Sequence, residues 1–438
     1  MKNTKETRNA MNAAPRLSPT HWFKNACFGM FIHFGLYSIP AGIWKGRRMA
    51  RNDYAEWIRF QHDWPEAGGI PKAEYDELLG DFNPIGFSAD DWVLEAKNAG
   101  MKYLIFTAKH HDGFALWDSC VSDYNVVKAT AFGRDIIGEL AAACRNHGLR
   151  FGLYYSHWLD WEYEGGALPP WPEWPGDPVL EQPSQAAFEG YWTKKCLPQV
   201  SELLEHYNPD LLWFDSWGEK RGDFLTEDRL ARLIRLVRQA RPHCLINSRI
   251  GTPQGVDYLS TGDNEFPSKG FSQPWETSGT LNHAWGHHQL DFKWKPTNQL
   301  LRNLVDNVSR AGNYQLNVGP TGEGIFPSAA IRRLKELGAW LTVNGSAIYD
   351  SRPASFAEPV WGRLTVPESD PEGTLHAFVY DPQPGATLIL SGPKQPPTSA
   401  RVLETGEAVA ITPMDSGFAF ALPDDLPDLN ITAITFAW

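Results

Sequence analysis

Short apolar runs that each stop at polar, reactive side chains place the tightest limit on how this chain can fold. LLWFDSW (211–217) carries Asp215 near its end. CFGMFIHFG (27–35) stops near His33, KYLIFTAKHHDG (102–113) at Lys109, His110, His111 and Asp112, and LRFGLYYSHW (149–158) at Tyr154, Tyr155 and His157. HCLINSR (243–249) ends on Arg249 and VDYLSTGD (256–263) on Asp263. Runs of this length, rich in Ile, Phe and Tyr, suit strands buried on both faces, as a parallel sheet requires.

Helical patterns lie between the runs. AFEGYWTKKCLPQVSELLEHY (187–207) is one, and its Pro198 predicts a kink or an early break. LTEDRLARLIRLVRQARP (225–242) is another, with apolar residues at helical spacing, a Thr226 cap, acids in the first turn and a terminating Pro242. Strands alternating with helices predict a (β/α)8-like barrel, whose reactive residues gather at the C-terminal ends of its strands. An open doubly wound sheet is the competing architecture, but the first strand is followed by no Gly-rich phosphate loop.

The pattern changes near residue 350. GRLTV, TLHAFVY, ATLILSG and ITAITFAW alternate and are spaced by Pro, Gly and Asp, which predicts an antiparallel β-sandwich over 352–438. The expected organisation is an extension over 1–20, a catalytic barrel over 21–350 and this sandwich. A segment rich in Pro and Trp, EGGALPPWPEWPGDPVLEQPSQ (164–185), is too irregular for an element and forms either a wall of the site or packing on the barrel rim.

A net charge of −12 argues against nucleic acid as a partner, since phosphate binding needs an extended basic patch. Nineteen tryptophans supply core packing and also flat faces on which sugars stack. Five scattered cysteines form neither a disulfide framework nor a CxxC zinc pattern, and the N-terminal stretch has no apolar signal core, so a cytoplasmic protein is expected. No run is long enough to span a membrane. His110 and His111 are adjacent, and on a strand they face opposite sides, so they cannot share a metal ion unless the strand has ended; no metal or other cofactor is expected. Asp215, after Leu211, Leu212, Trp213 and Phe214, needs hydrogen bonds or a cation if it is ionised, and Arg249 at the next run's end is the candidate; the bland alternative is a helix N-cap.

Six ordered blocks carry a resemblance. They are CFGMFIHFGLYSIPAG (27–42), YAEW (54–57), MKYLIFTAKHHDGFALWDS (101–119), GRDIIGELAAACRNHGLRFGLYYS (133–156), YNPDLLWFDSW (207–217) and LVDNVSRAGNYQLNVGPTGEGIFP (304–327). Together they resemble the α-L-fucosidases of glycoside hydrolase family 29 over most of residues 20–350. The resemblance implies a retaining exo-α-L-fucosidase that acts on fucosylated oligosaccharides or glycoconjugates, with Asp215 as nucleophile forming a fucosyl-enzyme.

A second carboxyl must protonate the departing oxygen, so its pKa is expected above that of Asp215. The family's acid/base is commonly a Glu two residues past a Thr. STGDNEFP (260–267) puts Asp263 there, which departs from the commoner Glu. Asp263 stands first, Glu265 second and Glu276 third; the plain alternative for Asp263 is a turn residue after Gly262. By similarity, His33, Glu56, Trp57, His110, His111, Tyr154, Trp213, Arg249 and Trp285 line the sugar pocket. His157, His287 and His288 have no firm counterpart, and Asp112 and Asp118 are expected to support the loop after their strand. A fucose-binding protein that has lost catalysis is the rival reading, and oligomerisation is left open.

Overall fold

In the computed structural model, residues 18–49, 54–60, 69–169, 180–218, 221–428 and 430–438 are described. Eight parallel strands make the first sheet: β1 (Phe28–Ile32), β2 (Tyr103–Lys109), β3 (Arg150–Tyr155), β4 (Leu211–Phe214), β5 (Leu245–Ile246), β6 (Leu259–Ser260), β7 (Trp275–Thr280) and β8 (Gly312–Val318). Their spatial order is β5-β4-β3-β2-β1-β8-β7-β6. The end strands meet through one parallel bridge, Asn247 with Tyr258, so the sheet curls into the expected (β/α)8-like barrel.

The apolar runs mark β1 to β6. The last two strands escape that pattern because their inner faces are polar. Asn317 reaches His33, and Ser278 donates to Gln315 across 2.8 Å. Tyr314, Leu316 and Val318 of β8 alternate with these and bury in the main core.

Helices cover the outside: α1 (Ala89–Asn98), α2 (Ile136–His147), α3 (Gln185–Tyr191), α4 (Leu197–Tyr207), α5 (Glu227–Ala240), α6 (Thr297–Val308) and α7 (Ser328–Asn344). Thr226 caps α5 by accepting from the Arg229 N–H. Pro198 lies in the first turn of α4, where its missing N–H is harmless, and a π-helical turn over Trp192–Cys196 joins α3 to α4 just before it. β5 is followed only by a 3₁₀ turn, Ser248–Ile250, and β6 by a tight loop through Asp263, so this side of the barrel is walled by loops.

The C-terminal strands are β9 (Ser351–Pro353), β10 (Gly362–Pro367), β11 (Thr374–Tyr380), β12 (Thr387–Leu390), β13 (Ser399–Val402), β14 (Ala410–Met414), β15 (Gly417–Ala421) and β16 (Ile431–Ala437). They form antiparallel sheets ordered β9-β10-β11-β16-β13 and β12-β15-β14. Phe418, Phe420 and Phe436 fill the space between the sheets. Trp340 of α7 donates to the Ile431 carbonyl across 3.3 Å, fastening the sandwich to the barrel.

Residues 1–17 of the N-terminal extension and 170–179 of the insertion lie outside the described residues. The insertion's two ends are tied together: Gln182 accepts from the Leu168 N–H and donates to the Pro169 carbonyl.

Candidate active site

A cavity of about 510 Å³ opens at the C-terminal end of the barrel strands, and Asp215 lies in its wall. The backbone at the end of β4 is fixed from two sides. Asn247 accepts from the Phe214 N–H and donates to the Phe214 carbonyl, and Trp158 donates to the Asp215 carbonyl across 3.0 Å. The carboxylate takes one hydrogen bond from Arg249 at Oδ1, across 2.6 Å, and one from the Tyr154 hydroxyl at Oδ2, across 2.9 Å. Burial pushes the Asp215 carboxyl above the ordinary range, Arg249 opposes this, and the charge of Asp263 adds to the rise.

Arg249 spans two carboxylates, its other terminal nitrogen donating to Asp263 Oδ1 across 2.6 Å. That bounds their separation to two hydrogen bonds and the breadth of one guanidinium. The two differ in shelter: the Asp215 side chain is 10% exposed and that of Asp263 39%. Asp263 is aimed by the turn that follows it. Asn264 adopts a left-handed φ of 55°, and its side-chain oxygen accepts from the Thr280 N–H and the Lys295 ammonium.

The walls are rings. Trp213 stacks on Tyr154 at 5.5 Å, Tyr154 on His110 at 5.3 Å, and Phe31 meets Trp213 edge-on at 5.2 Å. Trp57 packs against His111 and Trp217 nearer the opening. The strand has ended at Lys109, so both His110 and His111 face the cavity.

Two of the histidines, His33 and His111, are oriented through Nδ1. The Asn317 amide donates to the Trp285 carbonyl, so its oxygen is left to accept from His33 Nδ1–H at 2.7 Å. Ser156 donates to the Leu159 carbonyl and so accepts from His111 Nδ1–H at 2.6 Å. This leaves the His33 Nε2 as an open acceptor, while the His111 Nε2 lies 3.8 Å from Asp215 Oδ2. Burial lowers both pKa values, that of His33 to about 4.

Ten residues expected at the site line this one cavity: His33, Trp57, His110, His111, Tyr154, Trp213, Asp215, Arg249, Asp263 and Trp285. Glu56 does not. It sits behind the wall, accepting from the Gly286 N–H across 2.9 Å, and burial pushes its carboxyl up to about 7. The two lesser candidates for the acid/base also lie off the cavity. Glu265 accepts from the Gly262 N–H and closes its own turn, and Glu276 is buried inside the barrel.

His157 donates to the Ile250 carbonyl and is structural, as is the buried His288, whose Nδ1 accepts from the Leu290 N–H. Asp112 ties the loop after β2 by accepting from the Phe114 N–H and the Tyr75 hydroxyl. The sequence reading missed Phe31, Tyr54, Phe60, Trp217 and Arg221 in the wall, and Asn317 behind His33. Asn317 carries a signal, being the last inward polar residue of an alternating strand. Phe31 carries none, because an aromatic in a buried strand reads as core. Among the described residues, no group of three or more His, Cys, Asp or Glu is placed to hold a metal ion.

Two carboxylates bridged by a cation, inside an aromatic cavity at the strand ends of a parallel barrel, define a glycoside hydrolase. The α-L-fucosidase family model matches residues 2–346, and the chain belongs to that family. It is therefore a glycosidase working with retention through a covalent sugar–enzyme intermediate. It is similar to α-L-fucosidase isoenzyme 1 from Paenibacillus thiaminolyticus, with 34% identity and a TM-score of 0.81 over 96% of this chain and 98% of that one. An α-L-fucosidase from Bacteroides thetaiotaomicron, solved as a trapped covalent intermediate with 2-fluoro-fucosyl fluoride, matches at 28% identity and a TM-score of 0.81 over 97% of both chains. Tissue α-L-fucosidase of Homo sapiens is 28% identical over 432 residues, covering 95% of this chain and 87% of that protein.

Proposed function

We propose that Asp215 is the nucleophile and Asp263 the general acid/base in the removal of a terminal α-L-fucosyl residue from an oligosaccharide or glycoconjugate. The observation that carries this reading is the shared Arg249, which holds both carboxylates at one cavity wall. Asp215 Oδ2 attacks the anomeric carbon and the glycosidic bond breaks, while the Asp263 carboxyl gives its proton to the departing oxygen. A covalent fucosyl-enzyme and the free aglycone result. Asp263, now ionised, takes a proton from water as that water attacks the anomeric carbon, and the Asp215–fucose bond breaks with net retention.

The exposures support this division of labour. A sheltered carboxylate keeps its nucleophilic oxygen from competing water, and a more exposed carboxyl can reach the aglycone and solvent in turn. The open Nε2 of His33 accepts from a sugar hydroxyl, and the Nε2 of His111 faces the nucleophile, 3.8 Å from Asp215 Oδ2. The rings of Phe31, Trp213, Tyr154 and Trp285 supply an apolar face for the C5 methyl that distinguishes fucose from galactose.

All residues of this machinery come from the 21–350 segment, which we assign as the catalytic unit, with 352–438 as its support. Five free cysteines fit a reducing, cytoplasmic setting. Among the described residues, no helix is long and apolar enough to cross a membrane.

Release of free fucose from a panel of fucosylated oligosaccharides, measured for the native protein and for Asp215→Asn, tests the reading. Native release with no turnover by the variant, and fucose binding kept by both, is expected. A native protein that binds fucose and releases none across the panel is instead a binding protein on this fold.

A further inference from the structure

Glu276 is a fully buried carboxyl on β7 beneath the site, and the mechanism above does not use it. Its Oε1 accepts from Trp213 Nε1–H across 2.7 Å and from the Ser260 hydroxyl across 2.6 Å. Its Oε2 accepts from the Gln315 amide, and its backbone carbonyl accepts from the Thr261 N–H across 3.1 Å.

These contacts meet both catalytic strands. Trp213 is on β4 two residues before Asp215, and Ser260 is on β6 three residues before Asp263. Trp213 also lies against the Arg249 guanidinium, 4.9 Å from the ring centre, and stacks on Tyr154, the two groups that donate to Asp215.

We propose that Glu276 is a positioning residue that sets the distance between nucleophile and acid/base by clamping the ends of β4 and β6 from beneath. The proposal rests on the assignment of Asp215 and Asp263. A salt bridge is not what holds the clamp together, because the hydrogen bonds Glu276 accepts come from an indole, a hydroxyl and an amide. Burial pushes its carboxyl up to about 8, so a full second negative charge beneath Asp215 is disfavoured. A side chain of the same length with an oxygen in the same place should therefore substitute. Gln at this position keeps the acceptor for Trp213 and Ser260, and the Gln315 amide restores its own pairing by turning over, with the Ser278 hydroxyl switching from donor to acceptor.

Two conservative variants test this without emptying the barrel interior. Glu276→Gln keeps the length and loses the acid, whereas Glu276→Asp keeps the acid and withdraws it by one carbon. Clamping predicts that Glu276→Gln retains kcat, while Glu276→Asp loses about 10²-fold in kcat with little change in KM, as a misplaced reacting group does. The loss should reach aryl fucosides as well as substrates with poor leaving groups, because the nucleophile is misplaced along with the acid/base. An inactive Gln variant beside an active Asp variant would make Glu276 a proton donor and overturn the proposal. Wild-type kcat in both variants, with only the melting temperature lowered, overturns it as mere packing. Covalent labelling of Asp215 by a 2-fluoro-fucosyl donor in both variants separates these outcomes from an error in the nucleophile itself.

Discussion

Arg249 donates to Asp215 Oδ1 across 2.6 Å, and the same guanidinium reaches Asp263 across 2.6 Å with its other terminal nitrogen. A planar fork fixes the two carboxylates in a set relation to each other, whereas an ammonium on a flexible stem can pair with both but does not impose that geometry. Arg249→Lys should therefore keep the charge and lose the geometry. A fall of about 10²–10³-fold in kcat is expected, the scale of removing one preorganised donor. Steady-state kinetics on an aryl α-L-fucoside checks this, and a near-native Lys variant contradicts it.

In the first step Asp263 matters only where the leaving group needs a proton; in the second it acts as base on water for every substrate. Asp263→Ala should lose about 10²–10⁴-fold in kcat/KM on natural glycosides, the range of general acid catalysis, and far less in kcat/KM on an activated aryl fucoside. Rates on a series of aryl fucosides of rising leaving-group pKa measure the difference. Equal losses along the series would pass the role to another carboxyl.

The acid limb of kcat/KM should follow the ionisation of Asp215. Burial raises its pKa, Arg249 lowers it, and Asp263 raises it again. Neutralising Asp263 with Asn removes one upward push, so the nucleophile stays ionised to lower pH and the acid limb of the residual activity moves down. This is the pairwise push expected of two neighbouring carboxyls, but burial lifts Asp215 as well, so proximity alone does not set their order. A pH–rate profile with an aryl fucoside shows the sign, and an upward shift contradicts the coupling.

Buried carboxyls should also set how stability responds to alkali. Burial raises Glu276 from 4.5 to about 8 and Glu56 from 4.5 to about 7. A raised carboxyl favours the folded state fully below its unfolded pKa and loses that contribution as pH rises through its folded value. Thermal stability should therefore decline between pH 4.5 and about 8 through these two groups, and Glu276→Gln should flatten the part due to residue 276. Melting temperatures across that range test it. A variant that parallels the native curve contradicts it.

Much of this site is legible in the residues alone because a parallel barrel strand is buried on both faces and its polar residues collect where it ends. That puts Asp215, Arg249 and Asp263 at strand ends, and all three line the cavity even though β5 and β6 are only two residues long. The rule fails where the barrel interior is itself polar. Glu276, Gln315 and Asn317 point inward from β7 and β8 and break the apolar runs, so these strands look like loops. Glu56 reads as a sugar ligand beside Trp57, yet the six-residue 3₁₀ segment Ala55–Phe60 turns its carboxyl to the Gly286 N–H behind the wall. Such side-chain direction depends on tertiary packing, which residue spacing does not encode.

The most direct test of the central claim is to incubate the protein with a 2-fluoro-fucosyl fluoride, digest it and locate the sugar by peptide mass spectrometry. The account predicts one covalent fucosyl adduct on Asp215, absent in Asp215→Asn. An adduct on Asp263, Glu56 or Glu276, or labelling that survives in Asp215→Asn, contradicts it.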